Sequence, residues 1–310
     1  MLRYLRKRLL LYIPTLLAVS FITFFLGYLA PGSPIDILVG QHADVETKRR
    51  LEHEYGLDRP PLVQYGSYIA GAVRGDLGRS FSNASRPVSQ MIAEQFPVTA
   101  QIAVLALLMS ILLGIPAGML AALRHNTWID RLSMAVVVAC VSLPGFVLAP
   151  LLMLLFALKL GWLPSSGFDG PEYYVLPVLV LGVRPSAMLA RQMRASMLEV
   201  MQQDYIRTAY AKGLSPARVV WKHAFKNAML PVITAVGNSF GYLLTGSFVV
   251  ENIFNVPGIG YESVQSILRR DYPVIQGVAL LVAAIFLTVN LCVDLLYAKI
   301  DPRVRLEEAH

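Results

Sequence analysis

Residues 204–231, DYIRTAYAKGLSPARVVWKHAFKNAMLP, hold the side chains of this sequence best suited to chemistry between surfaces. Arg207, Lys212, Arg218, Lys222 and Lys226 supply fixed positive charge, and His223 adds a charge that depends on pH. Such a set does not make or break bonds; it grips an acidic or anionic surface. Gly213 can take a backbone angle that other residues resist. Ser215 followed by Pro216 fits an N-cap with proline at the first helical position. The spacing predicts a helix, a tight turn and a second helix, with Ala209 and Ala211 small enough to let a partner lie close. The competing reading is a basic loop that only fixes orientation.

Other chemistry is sparse. Cys140 and Cys292 both fall in apolar stretches, so neither a disulfide framework nor a thiol metal site is expected. The five histidines are scattered without ligand spacing. A phosphate-binding loop needs a lysine after its last glycine. The nearest stretch, GYLLTGS at 241–247, has Ser247 there and reads as helix packing through small residues. Met188, Met193, Met197 and Met201 recur at helical spacing and read as packing, with a soft-metal path as the alternative.

The elements that must carry these residues follow from composition. Hydrophobic residues make up 55%, charged residues 15%, and mean hydropathy is +0.55. This predicts an integral membrane protein. The net charge of +7 is explained by orientation in a membrane rather than by nucleic acid.

Arg3, Arg6, Lys7 and Arg8 precede an apolar run too long for a signal peptide, which predicts an uncleaved first span within 1–30. Residues 31–97 read as an extracytoplasmic insert with helix patterns at 44–55 and 62–73. Its seven basic and eight acidic residues nearly balance. Residues 98–298 form the membrane core, with spans at about 98–123, 132–158, 174–193, 230–250 and 274–297. Residues 299–310 are a cytoplasmic tail. Pro116 and Pro144 lie inside spans, where membrane helices tolerate kinks. Six spans with both ends in the cytoplasm place sixteen Lys and Arg inside, against Lys159, Arg269 and Arg270 in the short outer loops. Five or seven spans would spoil that asymmetry.

The stretch 204–231 resembles the EAA loop of ABC-importer permeases in its dipeptide/oligopeptide form (RTAxAKGLSP, then HAxxNAxLP). APGSP at 30–34, GLDRPPLVQY at 56–65, GDLGRSF at 75–81, FPVT at 96–99, ENIFNVPGIG at 251–260, DYPVIQ at 271–276 and DLLYAKIDPRVR at 294–305 are similar to the same branch. Arg207, Thr208 and Ala209 stand where other branches have Glu-Ala-Ala. The interval from Gly213 to Pro231 is also longer than in sugar-importer permeases. Both are habits of the peptide branch.

The resemblance implies an all-α fold of six transmembrane helices in the inner membrane. It implies that Arg207, Thr208, Ala209, Ala211, Lys212, Gly213, Leu214, Ser215 and Pro216 dock in a groove of a separate ATPase. It further implies a homologous second permease, two cytoplasmic ATPase subunits that bind the ATP and magnesium, and an extracytoplasmic binding protein. This chain itself is expected to need no cofactor, to touch lipid but not nucleic acid, and not to be an enzyme. Relatives carry peptides, glutathione or nickel chelates.

Arg184, in VLVLGVRPSAML, departs from the apolar or small residue expected there. A charge at such depth is costly unless it faces a polar path. It is expected to line the translocation path and attract a carboxylate, or else to pair with the partner permease or snorkel. Glu251 and Asn252 are expected at the outer gate or binding-protein contact, or at a solvated helix end. Asp294 reads as an ion-pair or interface anchor near Lys299. An ion-coupled transporter would instead show paired carboxylates or broken helices at the midplane. An intramembrane hydrolase would need a nucleophile and base inside the spans.

Overall fold

The computed structural model describes residues 2–30, 35, 44–83 and 86–300. Most of the APGSP motif and the tail beyond Ile300 lie outside them. Regular structure among the described residues is helical, apart from an isolated bridge between Arg79 and Pro87. The chain divides into two compact units, one of residues 1–99 with 256–287, the other of residues 100–255 with 288–310.

The first unit starts with α1 (Leu2–Leu29), an apolar helix roughly 42 Å long at 1.5 Å per residue. Helix α2 (Val45–Glu54) starts where Asp44 accepts hydrogen bonds from the Thr47 amide at 2.7 Å and the Thr47 hydroxyl at 2.8 Å. Those bonds hold the Asp44 carboxyl below its ordinary value. Helix α3 (Pro61–Val73) has proline at its first position, and Gln64 donates back to the carbonyls of Leu57 and Arg59. Tyr65 ties α3 to α1: its hydroxyl lies 3.0 Å from Ser20 Oγ and donates to the Leu17 carbonyl. Its ring meets Phe21, Phe24 and Phe25. Positive φ at Gly75 and Gly78 then turns the chain toward α4 (Val88–Leu123), whose N-terminal end belongs to this unit.

The second unit contains the rest of α4, then α5 (Trp128–Ser142) and α6 (Gly145–Leu152), the latter continued by a π-helical stretch Met153–Lys159. Helix α7 (Val175–Met201) is its centre. Leu189, Met193 and Met197 of α7 are buried with Ile206, Val219, Ala224, Ala228 and Val232. Burial of Met193 and Met197 makes them packing residues. Small residues let α4 and α7 approach closely. A Cβ built on Gly114 would fall 3.0 Å from Leu189 Cβ, and one on Gly118 2.9 Å from Met193 Cβ.

The remaining elements are α8 (Asp204–Ala211), α9 (Pro216–Arg218), a π-helical stretch Val219–Ala224, α10 (Phe225–Gly246), α11 (Phe248–Phe254), α12 (Ile259–Arg269) and α13 (Tyr272–Ile300). Helix α12 and the N-terminal part of α13 belong to the first unit.

Four stretches among the described residues are long and apolar enough to cross a membrane: Arg8–Leu29, Val88–Leu123, Pro171–Met201 and Tyr272–Leu295. Two bent pairs raise the number to six, Trp128–Ser142 with Gly145–Lys159 and Pro216–Leu244 with Phe248–Phe254. The fold is thus the expected all-α membrane bundle, with one difference in the third span. Its halves meet at 100° at Leu143-Pro144, far beyond a proline kink. Leu143 is extended and Pro144 caps the second half, so the helix ends and restarts there.

Candidate functional site

The chemistry of the polar turn begins with how it is closed. Helix α8 buries Ile206 and Ala209 against the α7 core and exposes Asp204, Arg207, Thr208 and Ala211. Its C-terminus is a Schellman motif. Gly213 takes φ +75, its amide donates to the Tyr210 carbonyl at 2.9 Å, and the Leu214 amide donates to the Ala209 carbonyl at 3.4 Å. Leu214 packs on the same core as Ala209, which is the apolar contact that accompanies this motif.

Ser215 is extended, as an N-cap must be, and its carbonyl accepts from the Val219 amide; its side chain makes no capping bond. Pro216 opens α9, which runs through the π-helical stretch straight into α10. The expected second helix is therefore not a separate element but the start of the next span. Asn227 joins the two limbs of the turn by donating to the Tyr205 hydroxyl at 3.1 Å and to the His223 carbonyl at 2.9 Å.

The expected docking residues thus divide. Arg207, Thr208, Ala211, Lys212, Gly213, Ser215 and Pro216 form an exposed surface. Ala209 and Leu214 turn inward, so the small size of Ala209 serves the protein's own core rather than the approach of a partner. Sequence reasoning missed Tyr205, Tyr210 and Trp221, exposed aromatics beside the turn, Trp221 at 61%. Their position in a polar segment of an apolar protein was the available signal.

It also missed a brace between α5 and α7. Asp130, 3% exposed, receives a forked pair of hydrogen bonds from Arg194 of α7, Nε to Oδ1 at 2.6 Å and Nη2 to Oδ2 at 2.8 Å. The Asn126 amide donates to the same carboxylate at 3.0 Å, and His125 Nδ1 lies 3.2 Å from it.

Arg184 stands on the exposed side of α7 and has no ion-pair partner among the described residues. Glu251 is fully buried in α11, where the Ser247 hydroxyl donates to its carboxylate at 2.6 Å. A side chain with no exposure is not that of a solvated helix end. Asn252 donates to the Phe248 carbonyl at 2.9 Å. Asp294 sits half-buried in α13.

A second anchored carboxylate lies in the first unit. Asp271, 1% exposed, accepts from the Ser80 hydroxyl at 2.5 Å, the Ser82 hydroxyl at 2.6 Å, and the amides of Phe81 and Ser82 at 2.9 and 3.0 Å. Its own carbonyl accepts from the Ile275 amide at the start of α13. The Ile259 amide donates to Thr99, and Gln95 to Glu262.

Residues 114–306 match the family described as binding-protein-dependent transport system inner membrane component, and residues 1–103 match its N-terminal region. The chain belongs to the ABC-importer permeases of the dipeptide/oligopeptide class. This permease is 45% identical over 305 residues to the glutathione transport system permease protein GsiC of Escherichia coli K12, covering 98% of this chain and 99% of that one. It is 44% identical, with the same coverage, to the protein of that name in Shigella boydii serotype 4. Its fold is similar to an inward-facing MetNI methionine ABC transporter chain, with TM-score 0.60, 17% identity, 68% of this chain and 97% of that one. An amino acid ABC transporter chain gives TM-score 0.56 at 18% identity, 68% of this chain and 94% of that one.

Proposed function

We propose that this permease carries small peptides or peptide-like solutes across the cytoplasmic membrane as part of an ATP-driven importer. Two ATPase subunits hold the ATP and magnesium, a homologous second permease completes the path, and an extracytoplasmic binding protein delivers the solute. Both termini lie in the cytoplasm. The observation that carries this reading is the turn at Gly213. It presents a polar, exposed face while its far limb continues into α10. Closure of the ATPase pair on nucleotide moves this turn, α10 moves with it, and the bundle changes the side from which the path is open.

Two solute classes stand within this function. The branch resemblance supports dipeptides and oligopeptides. The glutathione permeases at 44–45% identity support glutathione, a tripeptide with extra carboxylate charge. Purification from native membranes, wild type beside Gly213→Trp, tests the assembly. ATPase subunits and a second permease accompany the wild type and are lost from the variant. Reconstituted vesicles given ATP and the binding protein then compete labelled glutathione against a dipeptide. Recovery of the chain alone, with uptake driven by an ion gradient and not by ATP, overturns the reading.

A further inference from the structure

Helix α7 is covered on most of its circumference by its own unit. Pro185, Leu189, Ala190, Met193 and Met197 are buried, and Arg194 is turned to Asp130. One stripe is left open: Arg184, Met188, Arg191, Ala195 and Glu199 are all exposed. At about 100° per residue these five positions share an arc of roughly 80°.

Arg184 lies nine residues after Val175, or about 14 Å along the axis, which sets it near the middle of a hydrocarbon layer about 30 Å thick. Arg191 follows two turns on, about 10 Å deeper toward the cytoplasmic end. Neither guanidinium has an ion-pair or hydrogen-bond partner among the described residues. Lipid is a costly neighbour for this face, because a guanidinium at mid-depth on an uncovered face must snorkel or draw water into the layer. The stripe is also too charged for an apolar helix contact.

We infer that the open stripe of α7 lines the solute path and makes it selective for anions, with Arg184 and Arg191 as successive stations for a solute carboxylate. This rests on the importer reading above and goes beyond it in naming the charge of the cargo. Two guanidiniums separated by two turns suit an extended solute whose carboxylates pass from one to the next. Glu199, at the cytoplasmic end of the same arc, makes the stripe acidic where the anion must leave. Binding along a path must be weak enough at its exit to release what it attracted. Met188 and Ala195 between the charges leave the wall smooth.

The test needs no knowledge of the solute. In the assembled complex, with Cys140→Ala and Cys292→Ala as background, Met188→Cys is reacted with methanethiosulfonates bearing a sulfonate or a trimethylammonium group. Labelling of this chain is followed by mass, in nucleotide-free and vanadate-trapped complexes, and rates are normalised to a free thiol. The anionic reagent is expected to react about tenfold faster than the cationic one in at least one state. Arg184→Gln should bring the two rates close to parity. ATPase activity of each variant complex shows that it is assembled. No reaction with either reagent in both states means that the second permease or lipid seals the stripe, and this overturns the inference. Equal rates overturn it as well. Either result leaves ATP-driven uptake by the wild type standing, so the importer reading is judged separately.

Discussion

Arg194 of α7 holds the Asp130 carboxylate with two nitrogens, at 2.6 and 2.8 Å, across 64 positions of sequence. The pair joins the first turn of α5 to the helix that leads into the turn at Gly213. Its strength depends on the planar fork of the guanidinium, which matches both carboxylate oxygens at once.

Arg194→Met leaves a nearly enclosed carboxylate with only the Asn126 amide and His125. A loss of about 3 kcal/mol is expected, at the low end for a buried pair because the Arg194 side chain is 24% exposed. Arg194→Lys should recover less than half, since an ammonium cannot fork. Thermal unfolding of the detergent-solubilised permease measures both, and equal midpoints for wild type and Arg194→Met would show that the pair contributes nothing.

The Asp271 cluster predicts a local effect. Asp271→Ala removes four acceptor contacts from Ser80, Phe81 and Ser82. Amide hydrogen exchange at Phe81 and Ser82 should quicken at least tenfold, while α7 stays protected. Asp271→Asn keeps an acceptor without charge and should fall between, because charge-assisted bonds are roughly twice as strong as neutral ones. Exchange unchanged in Asp271→Ala would show that the loop is held by other contacts.

Glycine positions separate close packing from open surface. Gly118→Val places atoms against the Ala190 carbonyl and Met193 and should cost about 3 kcal/mol, with a lower unfolding midpoint. Gly66, inside α3, has nothing within 4 Å of a built Cβ. Gly66→Ala should therefore raise stability by about 0.5–1 kcal/mol, as a helix gains from losing glycine. If the two variants unfolded alike, the close approach of α4 and α7 would be in doubt.

Gly213 is different again. Nothing lies within 4 Å of its built Cβ, so the demand on this residue is conformational rather than steric. Gly213→Ala should cost about 1 kcal/mol, the penalty of a left-handed backbone with a Cβ, and Gly213→Asn less. Both should still co-purify with ATPase subunits, whereas Gly213→Trp should not. Loss of the partners from Gly213→Ala would mean that the partner requires the bare backbone.

Much of the helical layout could be read from residues near one another in the chain. The pattern at 44–55 appears as α2 with Asp44 as its cap, and the run at 62–73 as most of α3. Gly213 and Pro216 marked their turn because each acts on its own backbone. What escaped were relationships set by packing. Pro144 announces a break but not an angle, and 100° comes from where the two halves find neighbours. Ala209 gives no sign of which way it faces until α8 is laid on α7. Glu251, polar and beside a span end, gave no local sign that its side chain is fully enclosed. The partners of Asp130 and Asp271 lie 64 and 191 positions away, beyond any local pattern.

The separation of Ser80 from Asp271 also sets an order of events during biosynthesis. At about 5–20 residues per second, the Ser80–Ser82 loop emerges roughly 10–40 s before the carboxylate that will hold it. Through that interval the Phe81 and Ser82 amides, which the carboxylate will take, are left to water. The acceptor arrives as the first residue before α13, the last helix among the described residues. Closure of the cluster is therefore among the final contacts the nascent permease can form, and it reports that the last helix has reached its place.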